Sequence, residues 1–177
     1  RFFDHFGIDF IGLARAMSEN ARAGGVVQGG STLTQQLAKN LFLTPERAAS
    51  RKIQEAILAL WLEHKYSKDE ILELYLNEIY LGQNCYGIGA ATLNYFGKSL
   101  DQLTPDEAAF LAALPKGPNN YHPKRHPGAA KGRRDWVLGE MEQSGWLTEA
   151  ELQQARAAPL NTRDAPQRAE YKDADFF

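Results

Sequence analysis

Between residues 29 and 55 the chain gathers groups suited to holding an anion beside a single acid. Gly29-Gly30-Ser31-Thr32-Leu33-Thr34-Gln35-Gln36 is small, polar and dense in hydrogen-bonding atoms. Arg51-Lys52-Ile53-Gln54-Glu55 places two cations and a carboxylate within five residues, and Lys39 and Arg47 lie between the two blocks. Guanidiniums bind phosphates through paired hydrogen bonds, and a helix N-terminus presents free N–H groups to an anion. An ionised carboxylate beside them can take a proton or hold a metal. The stretch reads as the wall of an active site for a phosphorylated substrate, with Glu55 as its acid. Spacing alone favours a plainer role: a surface ladder of i, i+4 ion pairs worth about 0.3–0.5 kcal/mol each.

Two helices must position these groups. Ser31 or Thr32 can cap the first, in which Leu33, Leu37 and Leu41 would line the core. Thr44 and Pro45 suit the N-cap and first position of the second, expected over 45–65. On it Ile53, Ala56, Ile57, Leu60 and Trp61 form the stripe of an amphipathic helix, expected to face the core. Arg47, Arg51 and Glu55 are each four apart and share one face.

Four blocks together resemble a family. Gly30–Gln36 is similar to the second motif of the peptidoglycan glycosyltransferases (glycosyltransferase family 51), membrane-associated enzymes that polymerise lipid II. Arg51–Glu55 resembles their third motif, Lys68–Asn77 their fourth and Arg133–Leu138 their fifth, in the family's order and at its intervals. The first motif reads Glu-Asp-x-x-Phe-x-x-His-x-Gly, and Arg1-Phe2-Phe3-Asp4-His5-Phe6-Gly7 matches it from the residue before the Phe onward. Its leading Glu, the family's proposed general base, would lie upstream of Arg1. Asp4 falls at an unconstrained position, and His5 and Asp4 are expected to be supporting residues.

The resemblance implies an all-α, lysozyme-like domain over 1–160. Residues 161–177 would be a linker toward an absent transpeptidase domain, as in bifunctional class A penicillin-binding proteins. It implies transfer from a lipid-pyrophosphate donor to lipid II, inverting, with a β-1,4 link formed and lipid pyrophosphate released. Glu55 would be the second catalytic carboxylate. Ser31, Gln36, Lys39, Arg47 and Arg51 would contact the donor's pyrophosphate or sugar. A divalent cation (Mg or Mn) could join at Glu55, although no protein metal-ligand set is visible. Partners would be lipid II, the growing glycan strand, moenomycin-type inhibitors and the periplasmic face of the bacterial inner membrane, reached through an N-terminal anchor not covered here. Two rivals are a lysozyme-like hydrolase, which usually needs two acids flanking the bond, and a noncatalytic helical binding module.

Composition narrows the field. The 177 residues carry 20 Lys plus Arg against 22 Asp plus Glu, a net charge of −2, which gives no global pull toward nucleic acid, so any cationic site must be local. Cys85 is alone and forms no internal disulfide, which agrees with a reducing compartment and still permits the periplasm. No stretch of about 18 apolar residues is present.

Further helices are expected over 8–23, closed by Gly24, and from Ser67 to about Tyr80, where Ser67 and Glu70 form a capping box. On the first, Phe10, Leu13, Ala14 and Met17 would face inward; on the second, Asn77 would be buried. Phe2, Phe3, Phe6 and Phe10 are either core or a hydrophobic lip toward a bilayer. Gly24–Gly30, with four glycines in seven residues, reads as a mobile loop that could gate a groove. Later helices should run from Gly87 to Phe96, from Pro105 to Leu114, from Pro127 to Gly145 and after Thr148. Tyr86 and Tyr95 are expected to pack, and Arg133 to pair with a helix carboxylate.

Overall fold

A computed structural model describes residues 2–25, 27, 29–43 and 49–163. Among them the fold is helical with no strand; the sole β contact is an isolated bridge between Tyr80 and Tyr86. The helices are α1 (Phe10–Ala23), α2 (Leu33–Phe42), α3 (Ala49–Lys65), α4 (Lys68–Glu78), α5 (Ile88–Phe96), α6 (Pro105–Ala113), α7 (Pro127–Gln143) and α8 (Glu149–Ala157). The caps expected at Thr44 and Pro45, and most of the expected linker, lie outside the described residues. The chain divides into two compact units, Arg1–Ile79 and Tyr80–Phe177.

Local chemistry sets the helix ends. Thr32, Ser67, Thr104 and Thr148 each form a capping box with a Gln or Glu three residues on, satisfying N–H groups that a helix start leaves open. Gly24 and Gly97 close α1 and α5 in the left-handed region, which costs glycine nothing. A capping box at Ser99 likewise starts a 3-10 turn at Leu100–Gln102. A further 3-10 turn, Leu114–Lys116, follows α6.

In the first unit α2 packs on α3 and α4. Leu37, Ala38, Ala59, Leu62, Ile71, Tyr75 and Ile79 are buried there. In the second, α6 lies against α5, α7 and α8. Its Phe110 meets Tyr95 and Phe96 edge-on at 5.5 and 6.1 Å, and Leu138 and Leu152 close the other side. Each large apolar side chain fully buried this way contributes roughly 1.5–3 kcal/mol.

Several faces turn out differently from the sequence expectation. On α3 the stripe Ile53, Ile57, Leu60 and Trp61 is exposed, and Glu55, Ala59, Leu62 and Glu63 face inward. Small Ala59 admits the backbone at Gly7, where a Cβ would stand 3.2 Å from Ala59 carbonyl atoms. On α1, Phe10, Leu13 and Met17 are exposed, and Ala16 is buried where Gly30 passes, a Cβ there standing 3.7 Å from Ala16 Cβ. Phe3 and Phe6 are exposed rather than core. Asn77 is exposed at the end of α4. Tyr95 is buried, its hydroxyl donating to Leu81 O at 2.8 Å, whereas Tyr86 lies open beside Tyr80.

Candidate active site

The N-terminus of α2 is built by Thr32. Its Oγ1 accepts from Gln35 N at 3.1 Å and donates to Gly7 O at 2.6 Å, and Thr32 N donates to Gln35 Oε1 at 2.9 Å. The consecutive glutamines therefore divide their work: Gln35 caps the helix, and Gln36 accepts from Tyr75 Oη at 3.5 Å while lining a cleft. With Thr32 as the cap, Ser31 is left to meet another partner.

That partner is Lys52. Its ammonium donates to Ser31 Oγ at 2.9 Å and also to Glu55 Oε2. Arg51 Nε stands 3.4 Å from the other Glu55 oxygen. Glu55 is 2% exposed, whereas the Lys52 side chain is 60% exposed. One carboxylate thus lies beneath two cations, one of which reaches solvent. The pair leaves a net positive charge at the surface, which suits an anionic group.

Beside this cluster a cleft of about 230 Å³ runs along Gly29–Leu33 and Gln36, with His5, Asp9 and Arg15 on its walls. Burial, and then the Lys68 ammonium, push the His5 imidazole below its ordinary pKa, against the opposing pull of Asp9 and Glu63. Its Nδ1 is buried without a hydrogen-bond partner among the described residues.

Of the expected site residues, the structure joins Ser31 to Glu55 through Lys52, places Arg51 against the same carboxylate and sets Gln36 on the cleft wall. Lys39 is exposed in the last turn of α2, outside that hydrogen-bonded cluster. Arg47 lies outside the described residues. Sequence reasoning underweighted Lys52, although its position three residues before Glu55 put it within reach. It missed Glu63, whose place eight residues after Glu55 puts both carboxylates on one helix face.

The transglycosylase family model matches residues 1–142. The chain belongs to that family. It is 51% identical over 99% of its length to penicillin-binding protein 1A of Aquifex aeolicus, and 48% identical over 91% to penicillin-binding protein 1A of Escherichia coli. It spans 24% and 19% of those proteins. A crystal structure of penicillin-binding protein 1A from Haemophilus influenzae aligns with a TM-score of 0.54 and 32% identity, over 75% of this chain and 17% of that one. The all-helical class of the described residues agrees with that structure. Within the family match lie both the Ser31–Lys52–Glu55 cluster and the cleft beside it.

Proposed function

We propose that this domain is a peptidoglycan glycosyltransferase that polymerises lipid II. The observation that carries the reading is Glu55, buried beneath Lys52 and Arg51 and tied to Ser31, in a chain of the transglycosylase family. The donor is a lipid-linked disaccharide pyrophosphate or the growing glycan on its lipid pyrophosphate, and the acceptor is lipid II. A neutral hydroxyl is a poor nucleophile, so a carboxylate must take its proton as it attacks the anomeric carbon. That base belongs to the upstream half of the first motif. Attack from the face opposite the leaving group inverts the centre and leaves a β-1,4 link.

The leaving pyrophosphate gains charge as its bond breaks, so cations placed there lower the barrier. Lys52 and Arg51 supply them, Glu55 holds both in place, and Ser31 fixes the ammonium. Lys39, Arg47 and Gln36 are assigned to the donor's pyrophosphate and sugar. A divalent cation fits this donor set poorly. Glu55 is one carboxylate already facing two cations, Lys52 and Arg51, and these oppose a further cation there.

The exposed apolar side chains Phe3, Phe6 and Phe10, and Ile53, Ile57 and Trp61, support a lipid-facing location in the first unit. No described helix is long and apolar enough to cross a membrane, so membrane residence at the periplasmic face would rest on an anchor elsewhere. Moenomycin-type inhibitors would compete for the donor groups. The test is to incubate a chain extended upstream through the first motif with labelled lipid II. Long glycan with release of lipid pyrophosphate supports the reading. Soluble fragments released from purified cell wall, with no polymer formed, would point to a hydrolase instead.

A further inference from the structure

Glu63 is a second buried carboxylate, which the chemistry above does not use. It lies on the inward face of α3, roughly two turns beyond Glu55. A buried carboxylate persists only where partners replace its lost water. Glu63 takes two, from different elements: Thr34 Oγ1 on α2 donates to Oε1 at 2.6 Å, and Lys68 Nζ in the first turn of α4 donates to the same oxygen at 2.7 Å. The Lys68 ammonium also lies 4.5 Å from the centre of the Phe2 ring, within cation–π range.

Gly7 completes the junction. Its φ is +76°, and a Cβ there would stand 3.3 Å from Glu63 Cγ. Its carbonyl accepts from Thr32, the residue next to Ser31. The Phe2–Gly7 stretch, the start of α2, the inward face of α3 and the start of α4 therefore converge on one carboxylate. An apolar residue of similar volume would stabilise this spot as well as a buried ion pair. What the charged network adds is fixed geometry between elements, since Glu63 on α3 is hydrogen-bonded to both α2 and α4.

We infer that Glu63 is a positioning residue: through Lys68 and Thr34 it holds the Phe2–Gly7 segment, and the first-motif acid expected just before it, in register with Ser31, Lys52 and Glu55. Glu63 itself is shielded from substrate, its side chain being 3% exposed. The catalytic consequence rests on the proposed glycosyl transfer; the register itself does not.

The experiment compares Glu63→Ala, Glu63→Gln and Lys68→Met in a chain extended upstream through the first motif. It reads amide hydrogen exchange together with kcat and KM for lipid II. In Glu63→Ala, exchange at His5–Ile8 should speed up at least about tenfold while Leu37 and Ala38 stay protected. The kcat should fall roughly ten- to a hundredfold, as expected for a displaced reacting group, with KM held within about twofold. Glu63→Gln keeps an acceptor for Thr34 and should recover most of both effects, with Lys68→Met between them. Unchanged exchange at His5–Ile8 would overturn the inference. So would equal loosening across the whole first unit, or local loosening with kcat unaltered. Should Glu63→Ala fail to fold, the other two variants decide by the same readouts. An extended wild-type chain that makes no glycan would sink the proposed reaction, while the exchange pattern would still judge the register.

Discussion

Lys52 Nζ donates to Ser31 Oγ at 2.9 Å, binding the third motif to the second across twenty-one positions of sequence. Because the same ammonium contacts Glu55, removing it does two things: it frees Ser31 and it leaves a buried carboxylate with Arg51 as its remaining cation among the described residues. Lys52→Met should therefore lower turnover of lipid II by about a hundredfold, the usual cost of losing one group that meets developing charge. Ser31→Ala should cost less, and the double variant should be little worse than Lys52→Met, because both act through one ammonium. Additive losses, measured as kcat/KM in that cycle, would separate Ser31 from Lys52.

A different arginine from the expected one holds the second unit. Arg134 is completely buried; its Nε and Nη2 donate to Asp135 at 2.9 and 2.7 Å, and Nη1 donates to Ala158 O at 2.8 Å beyond the end of α8. Arg133 instead lies 3.8 Å over the Trp136 ring. Arg134→Met should destabilise the domain by about 3 kcal/mol, the scale for breaking a buried charge network by removing one partner. Arg133→Met should cost no more than about 1 kcal/mol. Urea unfolding of both variants checks this, and equal losses would contradict it.

Acid should weaken the fold in a defined direction. Burial opposes ionisation of Glu107 and Asp135, yet Lys98 and Thr104 on the first, and Lys131 and Arg134 on the second, hold both carboxyls below their ordinary range. The capping glutamates Glu70 and Glu151 are lowered by Ser67 and Thr148. A carboxylate with a depressed folded pKa contributes stability that is fully present above its unfolded pKa and is lost as pH falls through the folded one. His5 and His122, lowered mainly by burial, act in the same sense, since the unfolded chain takes up their protons first. The thermal midpoint should thus fall from about pH 6.5 downward and fall more steeply below about pH 4.5. A midpoint that rises between pH 7.5 and 5.5 would contradict these assignments.

Much of this was legible in the sequence because it is local. Capping boxes at Thr32, Ser67, Thr104 and Thr148 depend on residues three apart, and the glycines at 24 and 97 on one backbone conformation. Periodicity showed that α3 has two faces but not which one its neighbours would choose. The bulkier stripe through Ile57 and Trp61 looked like the core side. Close approach of Gly7 instead required small Ala59, and partners from α2 and α4 were already in place for Glu63. Adjacent helix positions point about 100° apart, which is why the buried guanidinium belongs to Arg134 rather than Arg133. The cluster at Glu55 was visible as a set of charges, but its link to Ser31 is a long-range contact that no local spacing encodes.

The central claim is that Glu55 orders the charge around a departing pyrophosphate. Its most direct test is the initial rate of labelled lipid II polymerisation by a chain extended upstream through the first motif, beside the same chain carrying Glu55→Gln. Glutamine keeps the shape but removes the charge that orders Lys52 and Arg51, and the rate should drop by at least about a hundredfold with the fold intact. A Glu55→Gln enzyme that polymerises near the wild-type rate would reduce Glu55 to a salt-bridge partner and contradict the site as drawn.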